Sequence, residues 1–284
     1  MFLALYLHIF TKYYYHMVRA LLVKSLLLLL LWGCSKKQSN DTSPVRPEEG
    51  CILVSESLNG SPYRTYEYNT SNQLYRIIQY ETSASNRVQK RYTFEYDQTG
   101  RVRVLRETNL LPPYVNYQYS LHYNGTNLVD TIRQYRVTNT GPVLLQTYAL
   151  AYDENKRLSR YAWPGSYWRY EYDEAGNVRK WFAKIDNLHS QEVLLAEYGN
   201  YDKSSNVYIN VPSAQLVNLV EGGGVSPHNP GSFRFYESTP EPVQTGIITY
   251  LYNDKNLPSE ASVSVFSAGG ASSTRVYKFE YECL

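Results

Sequence analysis

The chain has 284 residues, of which 19% are charged, 43% are hydrophobic and 15% are aromatic, and 30 of them are tyrosines. It holds 28 basic and 26 acidic residues, and three basic ones (Lys12, Arg19 and Lys24) lie in residues 1–33, which contain no acid. Without them, 25 basic residues face 26 acidic ones. This balance excludes nucleic-acid binding through bulk charge, and the many aromatic and β-branched residues exclude intrinsic disorder.

Residues 1–33 are expected to be a secretory signal that starts at Met1 or at Met17. A short basic stretch after Met17 precedes the apolar run Leu26–Trp32, and Gly33 follows it. Signal peptides have this order of positive charge, apolar core and small residue. The apolar run is well below the ~20 residues that a membrane-spanning helix needs, so the segment is predicted to direct export and not to span a membrane.

The residues Leu31-Trp32-Gly33-Cys34 resemble the lipobox of bacterial lipoproteins, in which the cysteine becomes the lipid-bearing first residue. Cys34 is therefore the expected lipidation site, and the polar segment 34–50 is the expected tether. Ser35 after this cysteine is typical of lipoproteins sorted to an outer membrane. Whether the domain faces the periplasm or the cell exterior stays open. The alternative is a plain N-terminal anchor with an incidental cysteine.

Two further cysteines frame the expected folded domain, 51–284, because Cys51 opens it and Cys283 is its penultimate residue. Export removes the protein from the reducing cytosol, and an even number of cysteines in an oxidising compartment favours pairing. A disulfide between them would place the first and last strands side by side. Two separate buried thiols are the alternative.

One short phrase recurs along the domain and predicts its architecture. Its second tyrosine occurs at the following positions: Tyr68, Tyr96, Tyr123, Tyr152, Tyr172, Tyr201 and Tyr252. Each of these tyrosines is followed by Asp or Asn, and the commonest steps between copies are 27–29 residues. Such a step holds two strands with their turns, so each unit is predicted to be a β-hairpin.

The residues after each tyrosine specify the turn. Asp or Asn starts a type I turn by accepting hydrogen bonds from the backbone two residues on. Three residues later the five clear copies carry Asn72, Gly100, Lys156, Gly176 and Asn256, and Gly and Asn tolerate a positive φ. The predicted register is given by the following pairs: Tyr96 with Val102, Glu95 with Arg103, Phe94 with Val104, Tyr172 with Val178, and Glu171 with Arg179.

Repeated hairpins of this kind give an all-β antiparallel meander of about fourteen to sixteen strands, whereas open sheets rarely exceed about ten. One face is apolar and tyrosine-rich and the other is charged, as in a sheet that is wet on one side. Because closure removes exposed edge strands, the sheet is expected to be curled or closed into a barrel-like form with the tyrosines inside. The tight turn Trp163-Pro164-Gly165-Ser166 explains one short hairpin.

A long insertion, 203–232, breaks the rhythm of the hairpins. Apolar residues at helical spacing over Ser213–Glu221 predict a short helix, with Ser213 as its cap and the glycines 222–224 at its end. We expect this insertion to plug or cover the sheet.

Two resemblances follow from these motifs. The phrase Tyr-x-Tyr-Asp-x-x-Gly-Arg-Val, found around Tyr96 with Phe94 in the first place, resembles the YD repeats of RHS-type proteins, which wind β-hairpins into sheets or shells. Residues 51–284 are similar to small lipoproteins of Bacteroidota with a repeat-built, porin-like β domain. The shared marks are the lipobox, Cys51, Asn200-Tyr201-Asp202-Lys203, Ser226-Pro227-His228-Asn229 and the ending Tyr277-x-Phe279-x-Tyr281-x-Cys283. The resemblance implies an envelope location and this fold, with no established activity.

No catalytic residue, metal site or cofactor is expected. The histidines of the domain are His122, His189 and His228. They are far apart, and the sequence has no zinc or calcium motif. Glu67, Glu95 and Glu171 occupy equivalent places in the repeat, which favours cross-strand ion pairs over the acid/base pair of a glycosidase.

An aromatic patch gives the domain a candidate binding site, formed by Tyr161, Trp163, Tyr167, Trp168 and Trp181 around one hairpin. These rings would either stack on sugars or pack the sheet.

The expected function is a non-catalytic, lipid-anchored envelope module that binds a ligand or partner or serves a structural role. Its expected partners are the membrane, through the lipid, and a glycan or another envelope protein. The alternative is an exported polysaccharide-acting enzyme or glycan-binding protein, and a membrane-spanning barrel is disfavoured because outward charges interrupt an apolar band.

Overall fold

The structure is a computed structural model, and it describes residues 50–82, 86–112, 114–186, 188, 191–208, 210–220, 226–237 and 239–283. The predicted signal (1–33), Cys34 and the tether up to residue 49 lie outside these residues, as do the glycines 222–224 and His189. Among the residues that are described, no helix has the length and apolar character needed to cross a bilayer.

The described residues form one sheet of sixteen antiparallel strands and one helix. The elements are β1 (Cys51–Leu58), β2 (Ser61–Tyr68), β3 (Leu74–Tyr80), β4 (Val88–Tyr96), β5 (Val102–Asn109), β6 (Asn116–Tyr123), β7 (Val129–Thr138), β8 (Gly141–Tyr152), β9 (Leu158–Trp163), β10 (Ser166–Tyr172), β11 (Val178–Lys184), β12 (Val193–Gly199), α1 (Pro212–Val220), β13 (Ser232–Phe235), β14 (Gln244–Tyr252), β15 (Pro258–Ser267) and β16 (Ser272–Cys283). Each strand pairs with the next along the chain, and β1 pairs with β16. The predicted all-β meander is confirmed, and its sheet is closed into a barrel.

The two ends of the barrel carry different loops. One end holds the turns that follow the recurring tyrosines, the insertion 200–231 between β12 and β13, and both ends of the domain. We call it the Tyr-Asp end. There Cys51 and Cys283 face each other in β1 and β16 and form a disulfide. The opposite end, which we call the open end, carries the other hairpin loops, including the two-residue turn Pro164-Gly165.

The turns at the Tyr-Asp end have the predicted geometry. In the hairpin of β4 and β5, the Gly100 amide donates to the Asp97 carbonyl over 3.0 Å, which closes the turn. In the six hairpin turns, the third residue after the Asp or Asn has a positive φ, from 56° at Asn72 to 86° at Gly176, whereas Asp202 begins the insertion and Ser205 does not share this conformation. Lys156 also adopts this conformation, with φ 61°, so the hairpin geometry overrides the cost of a side chain in the left-handed region.

A β-bulge follows each of these turns. Immediately before the second tyrosine of the phrase, the register shifts by one residue in six hairpins. The extra residue is the second residue of the following strand: Tyr75, Arg103, Asp130, Ser159, Arg179 and Ser259. A bulge increases the local twist and bends its strand, which favours the curvature that a closed barrel needs.

The bulge confirms one part of the predicted register and corrects the rest. Tyr96 faces Val102 and Tyr172 faces Val178, as predicted. The other observed pairs are Glu95 with Val104, Phe94 with Leu105, and Glu171 with Lys180. The predicted pairs of Glu95, Phe94 and Glu171 are therefore wrong, because the inserted residue moves every later partner by one position.

A set of tyrosine hydroxyls ties neighbouring hairpins together at the Tyr-Asp end. Each hydroxyl donates to a backbone carbonyl of the neighbouring strand, the one that precedes its own strand in the chain, over 2.6–2.9 Å. The pairs are Tyr68 with Leu53, Tyr96 with Leu74, Tyr123 with Val102, Tyr152 with Val129, Tyr172 with Leu158, Tyr201 with Val178, and Tyr281 with Pro258. We call these seven residues the tyrosine collar. All seven carbonyls belong to the residue that precedes a bulge, and six of them belong to the first residue of a strand, Leu53 of β1 being the exception.

The insertion fills the barrel from the Tyr-Asp end. Val207, Tyr208 and Val211 are each at most 2% exposed and belong to the same apolar core as the inner wall. The predicted helix is confirmed with one correction, since α1 begins at Pro212, whose missing amide hydrogen suits the first position of a helix. Ser213 is therefore inside the helix, where its hydroxyl lies 3.0 Å from the Tyr96 hydroxyl of the collar and donates to it, since the Tyr96 hydrogen is given to Leu74.

Removing one collar hydroxyl is expected to destabilise the barrel. In Tyr172→Phe, the carbonyl of buried Leu158 loses its 2.8 Å donor, and an unsatisfied buried acceptor costs about 1–3 kcal/mol. We expect a lower urea midpoint of unfolding. In the control Tyr114→Phe, where the side chain is 63% exposed, the midpoint should stay unchanged; equal midpoints for both variants would contradict a structural role for the collar.

The disulfide is expected to contribute several kcal/mol. It closes a sequence separation of 232 residues, and loss of such a native disulfide typically costs about 2–5 kcal/mol, because it no longer restricts the unfolded chain. The double variant Cys51→Ser, Cys283→Ser should unfold at lower urea concentration. Reduced wild-type protein should match it, and an unchanged midpoint in both cases would exclude this contribution.

Candidate functional site

The inner wall of the barrel is polar on one side and aromatic on the other. Inward positions alternate with outward ones along each strand, so buried strand residues of this single-layered sheet mark its inside. On β2, β3 and β5 the buried inward residues include Arg64, Gln79 and Glu107. On β9 to β13 the buried residues include many aromatic residues and two alanines, beside Leu158, Ser166 and Val178: Tyr161, Tyr170, Trp181, Ala183, Ala196, Tyr198, Phe233 and Phe235.

Five side chains on five successive strands, β4 to β8, form a hydrogen-bonded line that we call the polar row: Lys90, Glu107, Tyr119, Gln134 and Tyr148. Lys90 Nζ lies 2.5 Å from Glu107 Oε1, and Tyr119 donates to the other carboxylate oxygen over 3.2 Å. Gln134 Nε2 donates to the Tyr119 hydroxyl, and the Tyr148 hydroxyl donates to Gln134 Oε1 over 2.8 Å. Burial raises the pKa of Tyr148 to about 12, so this donor stays protonated at neutral pH.

Tyr148 also connects the polar row to four aromatic residues that we call the aromatic cluster: Tyr161, Trp163, Trp168 and Trp181. The ring centroids of Tyr148 and Tyr161 are 4.8 Å apart, and Tyr161 stacks on Trp168 at 5.5 Å. Trp168 meets Trp163 and Trp181 edge-on at 5.0 and 5.7 Å. All four members of this cluster were assigned to the aromatic patch from the sequence.

The fifth member of the predicted patch, Tyr167, lies on the other face of the sheet. It precedes Trp168 in β10, and successive residues of a strand point to opposite sides. Its ring lies outside under the Arg160 guanidinium, 3.9 Å from the centroid. The patch was grouped by nearness in sequence, whereas the alternation along β10 separates Tyr167 from the cluster.

Several buried polar atoms of the inner wall have no hydrogen-bond partner among the described residues. In the aromatic half these are Tyr161 Oη, Trp181 Nε1 and Tyr198 Oη. Tyr161 is 1% exposed and Trp181 6%. Leaving such a group unsatisfied costs about 1–3 kcal/mol, so each of them is ready to bind water or a ligand.

A second polar group lies deeper, where the insertion meets the wall. Glu56 is 1% exposed and accepts hydrogen bonds from Tyr66 of β2 and from Tyr208 of the insertion, the latter over 2.9 Å. Arg64, also buried, donates to Gln79 over 3.2 Å. Burial, together with the Glu56 charge, raises the pKa of Tyr208 well above its ordinary value. This group therefore holds the insertion in place and is closed to solvent.

Neither the polar row nor this deeper group was found from the sequence. The sequence does indicate that Lys90 and Glu107 point inward, because Lys90 lies two residues before Tyr92 and Glu107 lies two residues after Leu105. The alternation of a strand places each of them on the same face as its buried apolar neighbour. The expectation that charged residues lie on the wet face of the sheet therefore fails for Lys90 and Glu107.

A cleft of about 400 Å³ opens at the Tyr-Asp end, between the turn after β10 and the beginning of the insertion. Its charged lining residues are Asp173, Arg179, Asp202, Lys203 and His228. Two of its lining residues in the insertion bind the barrel: the His228 amide donates to Asn177 over 3.2 Å, and the Tyr201 hydroxyl donates to the Val178 carbonyl over 2.6 Å. These bonds attach the insertion to the barrel.

The outer wall carries ion pairs, and the repeat glutamates Glu67, Glu95 and Glu171 each point outward one residue before their strand ends at the Tyr-Asp end. Glu67 and Glu95 make cross-strand pairs with arginines, as predicted in kind, with partners displaced by the bulges. The near partner of Glu171 is Arg169 of the same strand, and Arg179 across the hairpin is 3.9 Å away. The pairs are Glu67 with Arg76, Glu95 with Arg106, Arg169 with Glu171 and Glu192, Glu197 with Lys180 and Arg234, and Glu260 with Lys278.

The two histidines that the structure describes lie at different places on the barrel. His122 binds Asp130 over 2.8 Å on the outer wall, and His228 lies at the cleft. In the part of the chain that the structure describes, no group of three or more His, Cys, Asp or Glu side chains is placed to hold a metal ion.

No protein-family model matches the chain, and no curated protein matches it in sequence. In fold, the barrel is similar to a porin-like protein from Bacteroides uniformis, with a TM-score of 0.51 and 16% identity over 86% of this chain and 100% of that one. A porin-like protein from Bacteroides vulgatus matches with a TM-score of 0.41 and 14% identity, over 83% of this chain and 100% of that one. The first similarity confirms, at the level of the fold, the predicted likeness to porin-like barrels.

The buried tyrosines predict a loss of stability at alkaline pH. Burial raises the pKa of Tyr123, Tyr148 and Tyr277 from 10.0 to about 12. The unfolded chain therefore releases these protons first, so stability is complete below pH ~10 and falls as the pH rises toward ~12. We expect the urea midpoint to fall over that interval, with a cooperative rise in tyrosinate absorbance at unfolding. Tyrosinate forming gradually near pH ~10 in a folded barrel would contradict this expectation.

Proposed function

We propose that the chain is a non-catalytic, lipid-anchored module of the outer membrane, facing the periplasm or the cell exterior, whose barrel lies in water and binds a ligand or partner. Residues 1–33 and Cys34 support export and lipid attachment. The disulfide between Cys51 and Cys283 supports an oxidising compartment, because disulfides rarely persist in the cytosol. The hairpin formed at each Tyr-Asp step supports the likeness to YD repeats.

The charged outer wall is the observation that carries this proposal. A membrane-spanning barrel presents an apolar band about 25 Å tall, and each Arg or Lys at the bilayer midplane costs about 2–4 kcal/mol. Six Arg and Lys residues of the outer ion pairs lie within the strands. The cost of each residue depends on its depth and falls toward the interfaces, so six of them together disfavour insertion of the barrel in a bilayer. Water around the barrel avoids this cost.

The bonds of the carboxylates support a non-catalytic role. The three repeat glutamates are bound by arginines, and buried Glu56 and Glu107 are bound by tyrosines and by Lys90. A polysaccharide-acting enzyme, the second candidate, needs one carboxyl group as acid and another as base or nucleophile. These five carboxylates are engaged in structural contacts instead.

Release from the membrane tests the water-exposed barrel. A specific protease site placed between Asp41 and Thr42, in the tether, should allow cleavage of isolated outer membranes to release the barrel without detergent. The same membranes from a strain whose protein lacks the site are the control. A cleaved barrel that stays in the pellet after a high-salt wash would contradict the proposal, because it would then be held by the membrane itself.

Palmitate labelling tests the anchor. We expect the wild-type protein to incorporate labelled palmitate and Cys34→Ser to incorporate none, since only a thiol at this position accepts the lipid. Cys283→Ser, a matched loss of one cysteine, should keep the label. Equal labelling of wild type and Cys34→Ser would exclude Cys34 as the lipidation site.

A further inference from the structure

We propose that the open end of the barrel lumen binds a neutral saccharide between the polar row and the aromatic cluster. This inference rests on the proposed function, a ligand-binding envelope module, and names its site and its ligand class. We call the place the lumen site, and its contact residues are Gln134, Tyr148, Trp163 and Trp168.

The lumen site is accessible from the open end. The insertion enters from the other end, where its residues are buried together with the tyrosine collar. Gln134, Tyr148 and Trp168 point inward yet are only partly buried. In a closed barrel, an inward side chain keeps contact with solvent only if the lumen at its level is open to water. Trp163 is the last residue of β9 and lies at the rim.

The aromatic side of the lumen site suits the apolar face of a sugar ring. Trp163 and Trp168 meet edge-on with centroids 5.0 Å apart, so they offer two differently oriented planes at one place. They rest on buried Tyr161 and Trp181, which restrict their rotamers. A rigid aromatic platform loses little conformational entropy on binding, and large aromatic side chains contribute much of the contact energy in binding sites.

The opposite side offers hydrogen bonds without net charge. Gln134 and Tyr148 supply both donor and acceptor groups, as the hydroxyls of a sugar require. The single cation of the polar row, Lys90, is bound to Glu107 over 2.5 Å. The row is therefore electrically balanced, which favours a neutral ligand over an anionic one.

The unsatisfied atoms point to the same ligand class. Tyr161 Oη and Trp181 Nε1 are buried beneath Trp168 and have no partner among the described residues. Both are hydrogen-bond donors, and a purely apolar ligand would leave them unsatisfied at full cost. A hydroxylated ligand, directly or through a bound water, supplies the missing acceptors.

Tryptophan fluorescence gives a specific readout for this site. The chain has four tryptophans, Trp32, Trp163, Trp168 and Trp181. The last three belong to the aromatic cluster, together with Tyr161. We would titrate the full chain, purified in a sugar-free detergent, with maltohexaose, cellohexaose, xylohexaose and chitohexaose up to about 10 mM, which covers a Kd near ~1 mM. Oligogalacturonate is the anionic comparison, and the uncharged N-phenyl-1-naphthylamine is the apolar one.

We expect at least one neutral hexasaccharide to change the emission in a saturable way. Trp168→Leu should weaken its binding by more than about tenfold because the stacking plane is lost. Tyr148→Phe, which keeps the ring and its packing, should weaken binding by about tenfold through loss of one hydrogen bond. The matched control is Tyr167→Leu, the neighbouring residue on the outer wall, where the Kd should stay unchanged.

Three results would overturn the inference. The first is a folded protein whose emission none of the four neutral sugars changes. The second is sugar binding that both Trp168→Leu and Tyr148→Phe leave unaltered, and the third is preferential binding of the anionic or the apolar probe. None of them affects palmitate labelling or release of the cleaved barrel, so failure here is distinguishable from failure of the proposed function.

Discussion

Seven times around the barrel, a tyrosine hydroxyl binds a backbone carbonyl of the strand before it, whereas the Tyr252 hydroxyl of β14 binds the Asp202 side chain. The collar bond links neighbouring hairpins in addition to their ladder hydrogen bonds and outer ion pairs. The bond requires the tyrosine to point inward, so it also assigns one face of every participating strand to the lumen. At the seam, Tyr281 continues the collar, and the disulfide joins β1 to β16. Closure of the sheet and the direction of its side chains therefore depend on the same contacts.

The bulges complement the collar. Each inserts one residue beside the carbonyl that a tyrosine binds, and each moves the later partners by one position. The displaced glutamates then meet arginines further along the next strand, as Glu95 meets Arg106. Ion pairs on the outside and apolar packing on the inside remain compatible, although the register differs from that of a plain hairpin. Such bulges bend and twist strands locally, which suits a barrel closed from short strands.

The ion pairs lie on the outer wall of the barrel, and the aromatic side chains of the cluster lie in its lumen. In the proposed function, the lipid at Cys34 provides the attachment to a membrane and the lumen provides the binding site. The lumen is closed at the Tyr-Asp end by the insertion, whose Tyr208 binds buried Glu56. At the open end, the polar row and the aromatic cluster share Tyr148. The likeness to a porin-like protein thus concerns the closed fold, while the wall and lumen of this chain favour a ligand-binding cup.

The sequence by itself determined the turns, the alternation of the strands and the presence of the helix, because these depend on residues close together in the chain. Asp or Asn after each tyrosine and a residue tolerant of positive φ three places later specify the turns, and the alternation of apolar residues specifies strands wet on one face. The helix of the insertion follows from spacing alone and is displaced by one residue at its start. Tertiary structure decided what depends on contacts between distant residues: the partner of Glu95, the alignment of the polar row over five strands, and the entry of the insertion into the lumen. The physical reason is that side chains of a strand alternate with a period of two, so one bulge residue reverses the faces of all later residues in that strand. In addition, only closure of the sheet brings inward residues of separate strands to one site.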